Sequence, residues 1–199
     1  RYTLTSCPRG HEMRSEAETG SSNLQECHPC SETQYVINPN SDLCEKCPPG
    51  LVCQGTDEIS IVVSGSTWAA IDGVYRLQTC PTGYHKISNE NEWQFQQCEP
   101  CAEGLQCVLE VCDSCSDCPV GKYKDIAGTQ ACQKCPKDTY NPDTNSKSSA
   151  NCLPCKAGSV TKTNGQWSLD ACECETRFYR SLSLTNWQCI SCPQGAMCA

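Results

Sequence analysis

The chain has 199 residues, 22 of them cysteine, and a net charge of −8 from 15 Lys or Arg against 23 Asp or Glu. That balance argues against nucleic acid or an anionic lipid surface as partner. A cysteine share of roughly 11% marks a disulfide scaffold, and without cysteine only about a quarter of the chain is apolar, too little for one common core of the expected size.

The composition fits a row of small units, each stapled rather than packed. An even cysteine count suits a fully oxidised framework, and disulfides persist outside the cytosol, so the expected location is extracellular, secreted or at the cell surface. No apolar run approaches the ~20 residues of a membrane span. No initiator Met and no signal peptide precede Arg1. The expectation is therefore a segment of a longer protein, with its secretion signal and any membrane anchor outside the segment.

In chain order, residues 1–53 form a first cysteine-rich unit that starts in mid-repeat. Its Tyr2, Leu4, Cys7, Pro8 and Gly10 line up with Tyr75, Leu77, Cys80, Pro81 and Gly83, and both copies run on to a Cys-x-Pro-Cys pair, Cys27/Cys30 and Cys98/Cys101. Residues 54–79 contain no cysteine. There the β-branched run 59–63 reads as a strand, residues 73–77 alternate like a second, and with Trp68 they make a small antiparallel β-module with its own mini-core. Residues 80–114 are a second cysteine-rich unit, and 115–199 are short Cys-x2-Cys repeats. A further element, Cys-x2-Cys-x2-Gly-x2-Cys, recurs at Cys44 to Cys53, Cys98 to Cys107 and Cys189 to Cys198. The array is expected to continue beyond Ala199.

Within residues 118–155 each loop opens on a turn containing Pro119 and Gly121, or Pro136 and Asp138. Such a turn lets Tyr123 or Tyr140 fold back over a cystine. Residues 143–149 read as an exposed polar loop tip. The fold class expected is small and disulfide-rich: an elongated array of cysteine-rich repeats with short antiparallel β-ribbons and little or no helix.

The simplest pairing joins each cysteine to the next: Cys7–Cys27, Cys30–Cys44, Cys47–Cys53, Cys80–Cys98, Cys101 with Cys107, Cys112 with Cys115, then Cys118–Cys132, Cys135–Cys152, Cys155–Cys172, Cys174–Cys189 and Cys192–Cys198. Closing a ~15-residue loop stabilises by about 3 kcal/mol in the chain-entropy picture. A rival scheme interleaves adjacent pairs, first with third and second with fourth, and connectivity does not follow from sequence alone. The tight Cys112 with Cys115 bridge is the weakest link of the ladder. Cys101 with Cys115 and Cys107 with Cys112 is its local alternative.

The Cys118-Pro-Val-Gly-Lys-Tyr123 opening and the Tyr140-Asn-Pro-Asp-Thr144 run resemble ephrin-receptor-like cysteine-rich repeats, akin in style to tumour-necrosis-factor-receptor and EGF-like modules. The similarity is good over 115–199 and looser over 1–114, and Cys172-Glu-Cys174 departs from it by one missing residue. What the resemblance implies is an elongated extracellular array without catalysis. Such arrays occur in receptor ectodomains and in large surface and filament proteins of microbial eukaryotes.

Other chemistries fit less well. Cys132, Cys135, Cys152 and Cys155 have zinc-ribbon spacing, but 22 is not a multiple of four and the three histidines are scattered. Cys27-His28-Pro29-Cys30 resembles a dithiol redox motif without the βαβ context that lowers a thiol pKa. Asp42, Asp113, Asp117 and Asp170 lie near cysteines but lack a calcium-loop spacing and read as surface charges. His11, His28 and His85 have no nucleophile context, so no enzymatic activity and no cofactor are expected. Of the tryptophans, Trp93, Trp167 and Trp187 read as covers over cystines or joints, whereas Trp68, with Ile61, Val63 and Tyr75, is the candidate protein contact. The function read from the residues is a structural rod in a cell-surface or extracellular filament, with self-association or neighbouring subunits as partner. A ligand-binding receptor ectodomain is the alternative.

Overall fold

The computed structural model describes residues 4–15, 25–88, 92–181 and 187–198. Arg1 and Tyr2, the start of the first repeat copy, lie outside them. Among the described residues the strands form ten two-stranded sheets. Helical structure is limited to the 3-10 turns Trp93–Phe95, Ser149–Asn151 and Leu169–Ala171. Many of the strands are only two residues long, and isolated two-stranded ribbons are marginal in water. Cystines supply what the ribbons lack. This is the small, disulfide-rich repeat fold expected from composition.

The chain divides into two compact units, Arg1–Glu99 with Leu109–Ser114 and Pro100–Val108 with Cys115–Ala199. The partition at residues 53, 79 and 114 follows repeat borders instead, and we retain it as a proposal.

The first unit holds both clusters of buried apolar side chains. Tyr35, Leu51 and Cys53 pack with Ile37, Cys47, Ile59, Trp68 and Tyr75, and Leu77, Cys80 and Cys98 pack with Val63, Trp68 and Tyr84. Trp68 belongs to both. It also explains Gly50, where a Cβ would stand 2.5 Å from the indole Cζ2. The strand pairing corrects the expected β-module. Ile59–Ile61 pairs backward with Leu51–Cys53, in the register Leu51↔Ile61. Thr67–Ile71 pairs with Val74–Thr79. The reason is the Asp72-Gly73 dipeptide: both residues have positive φ, 51° and 77°, as the tight two-residue hairpin turn requires.

The second unit repeats one device. The residue three after each unit's opening cysteine takes a left-handed φ, as at Gly104, Gly121, Asp138, Gly158 and Arg177. Its carbonyl then accepts the N–H of the cysteine that opens the next unit. Cys118 donates to Gly104, Cys135 to Gly121 and Cys155 to Asp138 at 2.8–2.9 Å, and Cys192 to Arg177 at 2.7 Å. Where Cys172-Glu-Cys174 is one residue short, the bond moves by one and Glu175 donates to Gly158 at 2.9 Å. The short spacing is thus absorbed without breaking the pattern. Two turns are capped alike: the Ser148 hydroxyl accepts from the Ala150 N–H and the Ser168 hydroxyl from the Asp170 N–H.

Successive units dock through the same backbone groups. Gly104 donates to the Lys124 carbonyl and Gly121 to that of Asn141, at 2.9 and 2.8 Å, while Gly128, Asn145 and Gly165 donate back to Cys101, Cys118 and Cys135, each at 2.9 Å. Residues 143–149 are therefore not merely an exposed tip, since Asn145 docks and Ser146 is buried.

The structure joins Cys7–Cys27, Cys30–Cys44, Cys47–Cys53, Cys80–Cys98, Cys118–Cys132, Cys135–Cys152, Cys155–Cys172, Cys174–Cys189 and Cys192–Cys198. One bridge corrects the ladder: Cys101 is bonded to Cys115, not to Cys107, which also removes Cys112 with Cys115. The Leu105–Gln106 strand pairs with Ser116–Asp117, placing Cys115 just before its own ribbon, as Cys132 and Cys152 stand before theirs. Cys107 and Cys112 are also disulfide-bonded.

Candidate interaction surfaces

Of the four contact residues the sequence points to, three face inward. Trp68 lies in the apolar clusters, and its Nε1 donates to the Ser66 hydroxyl at 3.2 Å. Val63 packs on the Leu77 cluster. Tyr75 stacks tilted against Tyr35 with centroids 5.0 Å apart, and its hydroxyl donates to the Asp57 carbonyl at 2.9 Å. Ile61 alone is open, 45% exposed, on the same face of its ribbon as its partner Leu51, whereas the exposed Val52 is paired with Ser60 on the opposite face. The open tryptophan is instead Trp167, at 60%. The others are engaged: Trp93 donates to Glu45 at 3.3 Å, and Trp187 lies beneath the Arg180 guanidinium, 4.0 Å from the ring centroid. A period-two pattern around Trp68 does not reveal which face of the hairpin is covered.

The second unit buries polar side chains where the first buries apolar ones. Lys124, Asn141 and Thr161 occupy one repeat position, six residues after the opening cysteine, and are essentially inaccessible. The Lys124 ammonium donates to the carbonyls of Cys101, Leu105 and Gly128 at 3.1, 3.0 and 2.6 Å. Burial pushes its pKa down. The Asn141 amide reaches Lys122 and Ser146, at 3.0 and 2.8 Å. Thr161 accepts from the Asp138 N–H through its hydroxyl, while its own N–H donates to the Asp138 carboxylate. That reciprocal pair holds Asp138 in its left-handed conformation. These residues were missed from sequence, although their shared offset from the cysteines was there to find.

In the first unit, the Tyr35 hydroxyl accepts from the Tyr75 N–H at 3.0 Å, and burial pushes the phenol up to about 12. Arg9 hydrogen-bonds to Asp57, and to Glu58 at 2.9 Å. The first of these holds the Asp57 carboxyl below its ordinary value.

The acidic and cysteine candidates are separately occupied. Asp42 accepts from the Asn38 N–H and the Ser41 hydroxyl, Asp117 from Asn145, and Asp170 pairs with Arg180. Asp113 is exposed. Cys132, Cys135, Cys152 and Cys155 are spread over three cystines rather than gathered, and Cys27 and Cys30 are bonded to Cys7 and Cys44 rather than to each other. His11 lies 3.2 Å from the Arg9 carbonyl, His28 lies 3.8 Å from Glu26, and the buried Nδ1 of His85 has no hydrogen-bond partner.

Comparison with known proteins agrees with this architecture. Residues 110–152 match the family described as tyrosine-protein kinase ephrin type A/B receptor-like. The chain is 26% identical over 157 residues to the human signal peptide, CUB and EGF-like domain-containing protein 3, covering 77% of this chain and 14% of that protein. It is 24% identical over 175 residues to the sushi, von Willebrand factor type A, EGF and pentraxin domain-containing protein 1 of Rattus norvegicus and of Mus musculus, covering 83% of this chain and 4% of each. The chain thus spans a small part of the curated relatives it matches. It is an array of extracellular cysteine-rich repeats, ephrin-receptor-like over 110–152. No helix among the described residues is long and apolar enough to cross a membrane.

Proposed function

We propose that the chain is a non-enzymatic structural and assembly segment, a stapled rod within a cell-surface or extracellular filament. The supporting observation is the docking rule of the second unit. From Cys101 to Cys155 each repeat closes on its own cystine, and a backbone N–H of the next repeat returns to its opening cysteine's carbonyl, so length can be added without a shared core. The relatives' names describe proteins built from many extracellular domains, which suits a spacer role. Lateral contact is assigned to the open Ile61 on the Leu51–Cys53/Ile59–Ile61 ribbon, which stands as a two-stranded sheet.

Sedimentation velocity of the oxidised chain over a concentration series tests this reading. We expect mass to grow with concentration and Ile61→Glu to reduce that growth. A wild-type chain that stays monomeric throughout, yet binds a different protein, would transfer the function to a receptor ectodomain with Trp167 as its open aromatic.

A further inference from the structure

The two units differ in charge. Arg1–Glu99 with Leu109–Ser114 carry 6 Lys or Arg and 15 Asp or Glu, net −9, whereas Pro100–Val108 with Cys115–Ala199 carry 9 and 8, net +1. Within the second unit, one ribbon sets two lysines side by side. Lys122 and Lys134 stand directly opposite each other across the Lys122–Tyr123/Gln133–Lys134 ribbon. Like charges at that spacing repel. Neither lysine takes part in an ion pair among the described residues, while on later repeats Lys162 pairs with Glu173 at 2.7 Å and Arg180 with Asp170 at 3.3 Å. The exposed Val120 and Ile126 flank this ribbon in sequence.

The first unit presents the complement. In Leu109–Ser114, the acidic Glu110 and Asp113 are exposed, as are Leu109, at 67%, and Val111. The segment is held in place. The Thr82 hydroxyl donates to the Leu109 carbonyl at 2.7 Å, the Cys112 N–H to Cys80 at 3.3 Å, and the Lys86 N–H to Asp113 at 3.3 Å.

Resting on the assembly reading above, we infer that the acidic Leu109–Ser114 segment of one copy docks onto the Lys122/Lys134 ribbon of the next. The two surfaces are different patches of one chain, so the contact is head-to-tail and leaves a free surface of each kind at the ends. A contact of that type propagates into an open filament unless its rotation closes a ring. Opposed charge with apolar side chains on both faces gives direction to an assembly that a bare strand edge would leave unspecified.

Sedimentation velocity on the full oxidised chain at 50 and 500 mM NaCl, with charge-reversal variants, tests the contact. Exposed ion pairs are screened over this range, so we expect association to weaken on the order of tenfold. Lys122→Glu/Lys134→Glu and Glu110→Lys/Asp113→Lys should each lose the salt-sensitive part of the association when alone. An equimolar mixture of the two should associate, because each then offers the other a complementary surface. Intact mass showing all 22 cysteines oxidised, with a disulfide-linked peptide map matching that of the wild type, confirms that each variant has folded its framework. Association that ignores salt and both reversals overturns this contact and leaves self-assembly standing. A mixture that stays monomeric while wild type associates also overturns the contact. A wild-type chain monomeric at every concentration overturns both readings.

Discussion

Tyr35 shows how much one side chain carries where the core is so small. Its ring is fully buried against Leu51 and Cys53, and its hydroxyl accepts the backbone N–H of Tyr75. Burial raises the phenol to about 12, against an ordinary value near 10. Because the folded state holds its proton more tightly, the stabilisation is fully present below about pH 10 and is lost as pH rises toward 12. A rise of that size corresponds to roughly 3 kcal/mol. Burial pushes the Tyr75 phenol up as well, so absorbance titration of tyrosinate near 295 nm should show a late phase among the seven tyrosines whose last component is Tyr35, together with loss of near-ultraviolet dichroism. Tyr35→Phe should remove the last component of the late phase. A single phase near pH 10 in the wild type would contradict the burial argument.

At the scale of the ribbon and its neighbour, polar side chains substitute for a core, and Lys124 is the clearest case. Its ammonium ties three carbonyls, those of Cys101, Leu105 and Gly128, across the junction of two repeats. Lys124→Met keeps the length and apolar stem but removes the ammonium from all three carbonyls, of which Cys101 keeps the Gly128 N–H, at about 1–3 kcal/mol for each buried group left without a partner that water cannot reach. Hydrogen exchange should therefore accelerate on the order of thirtyfold at Gly104 and Gly128, equivalent to about 2 kcal/mol of local opening. Amides of the Gln34–Tyr35 ribbon should keep their protection. Uniform acceleration throughout would mean that the repeats unfold as one.

This scale also shows what the sequence discloses. Cysteine spacing, with Gly or Asp three residues after most opening cysteines, dictates closed local loops, so the repeat class is legible. The polar hub is not. Lysine, asparagine and threonine read as surface residues, and only a neighbouring repeat's carbonyls make burial tolerable. The Asp72-Gly73 hairpin was legible, since Asp-Gly between alternating residues is a strong turn signal. Reading residues 59–63 and 73–77 as partners overlooked that Leu51–Cys53 was the nearer available strand. The crowded run from Cys107 to Cys118 offers several loops of feasible length, so spacing cannot choose Cys101–Cys115 there.

For the whole molecule, the consequence of a framework without a shared core is that covalent and conformational stability become local. In a cooperative domain a cystine is reduced when the domain unfolds, so all bridges react together. Here each repeat of the second unit is held by its own bridge and by hydrogen bonds to its neighbours, so reactivity should follow local access. Cys192 and Cys198 lie in a short loop whose intervening residues are all exposed, whereas Cys118 and Cys132 are both buried, as are Cys135 and Cys152. Limited reduction at neutral pH, followed by alkylation and peptide mass analysis, should label Cys192 and Cys198 early and those four late. Partly reduced molecules should accumulate in between. Only native and fully reduced forms at every time point would mean that the bridges depend on one cooperative structure. In that case the independence of repeats, on which an extendable array rests, would fail.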